Sequence, residues 1–429
     1  MPSSWVARKP ASKLLPVSHA VNGSALAHIR VLDLSRVLAG PWAGQTLADL
    51  GAEVIKVERP GRGDDTRHWG PPYLKDGEGR ETAESAYYCS ANRGKKSVAI
   101  DMARPEGQAL VRRLAEQSDV LLENFKVGGL ARYGLDYAAL STPCPRLVYC
   151  SITGFGHTGP YRQRPGYDFM IQGMGGLMSI TGEPDQRPGG GPQKVGVALA
   201  DIITGLYSTI AVLGALAARE HTGRGQHVDM ALLDCQVAVL ANQAMNYLAS
   251  GVAPIRLGNA HPNIVPYQTF RGSDGYFILA VGNDEQFKRL CELLNQYDLS
   301  ADSRFATNAA RVRNRDQLVP LLERSFEPRS CADWLSELEA RGIPCGPINS
   351  IDQVFQDPQV SARGMRLEMP HPRAGQVPLV GSPIKLSNTP VEPKLPPPLL
   401  GEHTDQVLSK LLGLSVPELA GFREAGIIG

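Results

Sequence analysis

Asp201 stands where a glycine-punctuated extended run, residues 195–200, meets a long apolar stretch of helical composition, residues 202–218. A carboxylate at such a junction has two available roles. Asp is a favoured helix N-cap, because its side-chain oxygen accepts from orphan N–H groups of the first turn. It is also a competent nucleophile when held against an activated acyl group. With a reference pKa of about 3.9 it is expected to be ionised at neutral pH and to need no separate base. Upstream, Arg164-Pro-Gly-Tyr-Asp168 brings a phenol and a second carboxylate together. Tyr167 either donates a hydrogen bond to a substrate carboxylate or developing oxyanion, or buries a satisfied hydroxyl. A phenol pKa of about 10 makes it a poor base at neutral pH. His157 and His261 are alternative bases, but each is an isolated loop histidine, a setting that more often serves ordinary polar contacts. His261 opens a Gly/Asn/Pro segment suited to overlie a site.

Candidate anion-binding cations are Arg59 in Val57-Glu-Arg-Pro-Gly61, Arg132, and the pair Lys95-Lys96, since guanidinium and ammonium groups pair well with phosphate oxygens. For the two lysines a solvated turn ahead of a strand is an equal reading. Phe125 either stacks on a flat ligand or packs internally.

These groups need a scaffold, and the residue pattern supplies one. Short β-rich runs at residues 29–34, 53–57, 97–100, 120–123 and 147–152 alternate with helical segments at 43–50 and 105–117, the second opening on Pro105. Such alternation reads as βαβ units in a doubly wound parallel sheet. In that architecture ligands lie at the carboxyl ends of strands. Arg59, Asn124-Phe125 and Thr153-Gly-Phe-Gly156 each follow a strand-like run. No Gly-x-Gly-x-x-Gly opens the first helix and no Gly-x-x-x-x-Gly-Lys-Ser/Thr occurs, so neither a dinucleotide nor an ATP site is indicated. The dense glycines after Gly154 imply flexibility or close ligand approach, while residues 182–192 read as a surface loop.

A smaller α+β portion follows, with a strand-like run at 276–281 and amphipathic helices at 285–294 and 332–340. The expected organisation is an extension over 1–28, a large domain over 29–220, linker helices over 221–255, a small domain over 256–345, and a return to the large domain over 346–429. Residues 390–398 are proline-rich and read as a stiff strap.

Composition narrows the function classes. The chain has 429 residues, of which 44 are basic and 43 acidic, so no broad positive field exists for nucleic acid or an anionic membrane. Seven scattered cysteines without a Cys-x-x-Cys pair favour reduced thiols. Histidine spacing supports no metal site. The apolar stretch at 202–218 falls short of the roughly 20 residues that span a bilayer. A cytoplasmic enzyme is the expectation. The basic, serine-containing residues 1–28 leave a mitochondrial transit peptide as the alternative to a disordered extension.

Read in order, Arg36-Val-Leu-Ala-Gly-Pro41, Asp49-Leu-Gly-Ala-Glu-Val-Ile-Lys-Val-Glu-Arg-Pro-Gly61, Gly63-Asp-Asp-Thr-Arg67, Thr222-Gly-Arg-Gly-Gln226 and Pro397-Pro-Leu-Leu-Gly-Glu-His-Thr404 resemble the class III CoA-transferases. That family also contains the α-methylacyl-CoA racemases, and the series looks especially like its succinate–hydroxymethylglutarate CoA-transferase branch. The resemblance implies a Rossmann-like large domain with a smaller α+β domain, and two chains interlocked as a homodimer. It places the nucleophile on Asp201 and CoA contacts on Val37, Leu38, Ala39, Arg59, Ile100, Asn124, Phe125, Arg132 and Leu232. Tyr167, Asp168 and His261 are possible substrate contacts. Coenzyme A and its thioesters enter as substrates, with no permanently bound cofactor.

The implied chemistry passes through an acyl-aspartyl anhydride and an aspartyl-CoA thioester, from a donor such as succinyl-CoA to a small carboxylic or dicarboxylic acid. Two alternatives remain: racemisation of a 2-methylacyl-CoA, and non-catalytic acyl-CoA binding. Racemases of the family carry His where this chain has Tyr167, which argues for transfer.

Overall fold

The computed structural model describes residues 23–429. Most of the expected N-terminal extension, with the question of a transit peptide, lies outside the described residues. Residues 24–28 belong to the fold: the Leu26 N–H donates to the Leu50 carbonyl at 2.9 Å, and the Leu26 side chain packs against the core.

In chain order the strands of the first half are β1 (Arg30–Asp33), β2 (Glu53–Glu58), the antiparallel hairpin β3 (Tyr73–Lys75) and β4 (Glu81–Ser85), β5 (Lys95–Ala99), β6 (Val120–Glu123), β7 (Val148–Thr153) and β8 (His227–Ala231). Outside the hairpin they form one sheet in the order β5-β2-β1-β6-β7-β8, and every pairing is parallel. Successive strand side chains point to opposite faces, which divides the core in two. Leu32, Ile55, Leu121 and Tyr149 face the helix Pro105–Glu116 and the C-terminal helix Thr404–Leu412. Val31, Val54, Val120 and Val148 face the helices Ala39–Asp49 and Leu199–Thr222. Those two helices approach closely at Gly205, where an added Cβ would lie 2.6 Å from the Ala39 carbonyl oxygen.

Two sequence expectations change here. The helix expected over 43–50 begins at Ala39, because proline is tolerated in a first turn where N–H groups lack partners anyway. Residues 221–255 hold the edge strand β8 as well as the helices Leu232–Ala238 and Ala241–Ser250. His227 and Asp229 interrupt the apolar pattern of β8. As an edge strand it is only partly buried, so its sequence lacks the continuous Val/Ile/Leu run of a central parallel strand.

The small antiparallel sheet consists of β9 (Tyr267–Arg271), β10 (Tyr276–Ala280) and β11 (Cys345–Pro347), ordered β11-β10-β9. Phe270, Phe277, Phe287, Phe326 and Trp334 form a core of its own with the helices around it. A last hairpin, β12 (Arg366–His371) and β13 (Gly375–Val380), packs Met369 and Val377 with Cys89. The proline-rich residues 390–398 then run beside β5. Gly94 N–H donates to the Leu395 carbonyl at 2.8 Å, and Arg67 donates to the Pro398 carbonyl at 3.1 Å.

Candidate active site

The strand order reverses between β1 and β6, and at such a switch point the loops leaving the two strands diverge and open a crevice at their carboxyl ends. Residues 34–38 leave β1 and Asn124-Phe125 leave β6. They are tied across the opening: Arg36 N–H donates to Asn124 Oδ1 at 2.9 Å, and Asn124 Nδ2 donates to the Arg36 carbonyl at 2.6 Å.

Val37 has φ +72°, a left-handed conformation that costs a β-branched residue free energy unless its surroundings enforce it. Here the Val37 N–H points at the Asp64 carboxylate, 3.2 and 3.3 Å from its two oxygens. Asp64 is paired with Lys56 at 2.9 Å, and both side chains are fully buried. Lys56 also donates to the Ser35 carbonyl at 2.7 Å. Burial alone would raise the Asp64 carboxyl, but the Lys56 charge and bonds from Thr66 outweigh it and hold it down at about 2. A buried ion pair therefore grips both ends of the strained loop.

Two cavities open on this crevice. One, of about 370 Å³, is lined by Arg59, Arg62, Ile100, Asp101 and Tyr133 among others. The second, of about 470 Å³, is lined by Val37, Leu38, Ala39, Asn124, Arg164, Tyr167, Asp201 and Leu232 among others. Arg36, Phe125 and Arg132 line both, so the cavities are the two ends of one cleft. All nine positions expected to contact CoA line it, as do Tyr167 and Asp201.

Asp201 does not cap its helix. The helix starts at Leu199, after Ala198, and Asp168 from a different helix takes the capping role. Asp168 Oδ1 accepts from the N–H groups of Ala200 at 2.8 Å and Asp201 at 3.4 Å. Gln172, one turn after Asp168 and buried, donates to Asp168 Oδ2 at 2.7 Å and accepts from Val195 N–H at 2.9 Å. The Asp201 carboxyl is thereby released from capping and faces the cleft.

Its ionisation departs from expectation. Burial, and then the neighbouring Asp168 charge, push the Asp201 carboxyl up to about 7, well above the ordinary carboxylate range. The same two carboxylates, after burial, push the Tyr87 phenol upward, which marks Tyr87 as a neighbour. Tyr167 is reached by a tight crossing: a Cβ on Gly154 would stand 2.5 Å from Gly166 Cα. Only glycines allow those two backbones to touch.

Several candidates lie elsewhere. Lys95 and Lys96 are in β5, not in a turn. Lys95 is fully buried and pairs with Asp33 at 3.0 Å, and Lys96 pairs with Glu53 at 2.6 Å; neither lines the cleft. His157 lines a separate cavity with Glu123, Ser151 and His227, its ring edge-on to His227. His261 packs beside Tyr267, and its Nδ1 accepts from Asn263 N–H at 3.0 Å. It does not line the Asp201 cavity of this chain.

A family model described as CoA-transferase family III matches residues 26–404. The chain is 54% identical to a succinate–glutarate CoA-transferase of Agrobacterium fabrum over 90% of its length and 95% of the relative's. It is 42% identical to the human succinyl-CoA:glutarate CoA-transferase, over 96% of this chain and 92% of that one. A crystal structure of a CaiB/BaiF family protein from Brucella suis superposes with a TM-score of 0.79 at 55% identity, covering 91% of this chain and 100% of that one.

The chain belongs to CoA-transferase family III. It is a CoA-transferase enzyme, and CoA thioesters are the substrates of its class. At one end of the cleft Arg59 and Arg62 present guanidinium groups suited to phosphates, alongside Glu58, Asp64, Asp65 and Asp101; at the other, Asp201 is the one carboxylate of a lining that holds Arg162 and Arg164 and no histidine. Several of its residues escaped the sequence reading. Gln172 carried a legible signal, the i,i+4 spacing from Asp168 on one helix. Lys56, Asp64 and Tyr87 carried none, because their roles arise from contacts across the fold. Arg162 and Arg164, both lining the Asp201 cavity, were not among the expected contacts.

Proposed function

We propose that this enzyme moves CoA from succinyl-CoA to a second small dicarboxylic acid, with Asp201 as the covalent relay. The observation that carries the reading is an uncommitted carboxylate, freed from capping by Asp168, in one cavity with the expected CoA contacts. The Asp201 carboxylate attacks the thioester carbonyl, the C–S bond breaks, and CoA leaves as its thiolate, giving a mixed anhydride. The thiolate attacks the aspartyl carbonyl and releases succinate, leaving an aspartyl-CoA thioester. The acceptor carboxylate then displaces the thiolate to form a second anhydride. Thiolate attack on its acyl carbon yields the new CoA ester and regenerates Asp201. Both anhydrides hydrolyse unless water is kept out.

The names of the relatives support dicarboxylates, with glutarate the first acceptor to test. The competing reading, α-proton exchange, needs a base on each face of the substrate with a pKa near the working pH. Asp201 supplies one face and Tyr167 is no equivalent for the other. The deciding experiment offers succinyl-CoA with a panel of free acids, and a 2-methylacyl-CoA in heavy water. New CoA esters and little α-deuterium are expected. Rapid deuterium uptake with no CoA exchange on any acid would reverse the assignment.

Arg59 is proposed to meet the phosphate end of CoA. Arg59→Ala is expected to weaken CoA-ester binding by about 1.5–3 kcal/mol, as for a hydrogen bond to a charged group, without altering preference among acids. An unchanged Michaelis constant for the CoA ester would remove Arg59 from the site.

The interlocked homodimer is also proposed. Leu206, Tyr207 and Ile210 on the long helix, with Val237, Met245, Leu248, Val252 and Ile255 after it, are exposed. An apolar surface of that extent marks an interaction site. Threaded chains cannot part without unfolding, so sedimentation at nanomolar concentration should still show a dimer; a folded, freely exchanging monomer refutes threading.

A further inference from the structure

A dicarboxylic substrate brings a second carboxylate that takes no part in bond making and stays charged throughout. The reacting position itself sits beside two carboxyl groups, Asp201 and the Asp168 bonded to the backbone next to it, while the basic side chains of the cavity, Arg36, Lys126, Arg132, Arg162 and Arg164, stand around it. A further anion entering there is repelled unless a cation meets it. Of the arginines lining this cavity, Arg36 is engaged with Asp65 at 2.8 Å, and Arg132, at the junction of the two cavities, lies over the Tyr133 ring at 4.5 Å. Arg164 lines only the Asp201 cavity of the two. Its guanidinium carbon sits 5.3 Å from the Phe155 ring centre and 4.7 Å from that of Tyr161, and Met174 Sδ lies 3.9 Å from one of its nitrogens. No acidic side chain pairs with it among the described residues.

The rings hold the guanidinium without neutralising it, and Nη2 donates weakly to the Met174 sulfur. The N–H edge, which binds carboxylates as a two-pronged fork, meets only the weak sulfur acceptor of Met174 and no carboxylate among the described residues. Arg164 lies three positions before Tyr167 in the same cavity lining, and Gly166, packed on Gly154, fixes that segment against the end of β7.

We propose that Arg164 determines specificity by pairing with the non-reacting carboxylate of a dicarboxylic substrate. This rests on the transferase reading above and goes beyond it by naming the group that distinguishes dicarboxylic from monocarboxylic acids. Arg162 lines the same cavity without the aromatic bracket, and serves as the comparison.

The test uses the full-length enzyme and its Arg164→Gln, Arg164→Lys and Arg162→Gln variants. Succinyl-CoA is the donor throughout, so any donor effect cancels between acceptors. Glutarate and valerate, which differ by one carboxylate, are compared as acceptors and as competitive inhibitors; an acid too poor to turn over still reports its binding through inhibition. Arg164→Gln is expected to lower the preference for glutarate by about 30-fold, the scale of one charged hydrogen-bonded pair, mainly through KM and with valerate little changed. Arg164→Lys should restore part of the preference, and Arg162→Gln should leave it intact. Equal losses for both acids, or an unchanged preference in Arg164→Gln, overturn the proposal. Failure of the wild-type enzyme to transfer CoA to any acid would instead strike the transferase reading.

Discussion

Asp201→Ala is expected to abolish CoA transfer, by about 10⁴-fold or more in kcat, the scale seen when a covalent nucleophile is removed. Every bond-making step in the proposed cycle passes through this carboxylate, and no second carboxylate in the cavity is free to substitute: Asp168 is occupied by two backbone N–H groups and Gln172. Incubation of the wild-type enzyme with succinyl-CoA should make Asp201 reactive to hydroxylamine, and peptide mapping should locate the change there. Full turnover by Asp201→Ala would sink the mechanism.

The raised ionisation, near 7, adds two signatures. The anion is the nucleophile, so kcat/KM for the CoA ester should fall as pH drops below about 7 and level off above it. Stability runs the opposite way. A carboxyl whose folded pKa lies above its unfolded value of about 3.9 contributes stability that is fully present below that value and lost as pH rises through about 7. Asp201→Asn keeps the shape and never ionises. It should therefore be inactive yet at least as stable as the wild type at about pH 8, with the advantage fading toward about pH 4. An Asn variant that unfolds more easily at alkaline pH would show that the charge supports the fold rather than the reaction.

Lys56→Met is expected to cost about 3–5 kcal/mol of folding stability, the range for breaking a buried ion pair by removing one partner. The loss falls on Asp64, left charged and fully buried while still holding the Val37 and Thr66 N–H groups. Asp64 in the wild type is held at about 2. A depressed pKa of this kind contributes stability that is present above the unfolded value and lost as pH falls through about 2. Without Lys56 the carboxyl prefers its proton, so the variant's deficit should shrink as pH is lowered from about 8 to about 5. Urea unfolding at matched protein concentration measures both effects. Variant that still folds should show a raised KM for the CoA ester, because the loop that lines the cleft has lost its anchor. An unfolding midpoint equal to that of the wild type would show that Lys56 and Asp64 do not hold this loop.

The parallel sheet was legible in the sequence because its central strands are buried on both faces and read as apolar runs, with a helix between β1 and β2 and another between β5 and β6. β8 was not, since an edge strand buried on little of its surface tolerates His227 and Asp229. Asp201 stood out through its position before an apolar helix and its company of motifs, and the positions carried over for CoA all line the cleft. Its chemical state was not legible. Local sequence made it a cap with an ordinary carboxylate pKa; Asp168, 33 residues earlier, took the cap, and burial, with the Asp168 charge second, raised the pKa. The lysine pair was equally opaque, because what turned Lys95 inward was Asp33, 62 residues away in chain and 3.0 Å away in space. Periodicity and turn chemistry act over a few residues and so determined the elements and the crevice between them. Desolvation and charge depend on what the folded chain brings within a few ångströms, and only the tertiary structure decided which carboxylate was free, which lysines were buried, and which arginine lay between aromatic rings in the Asp201 cavity.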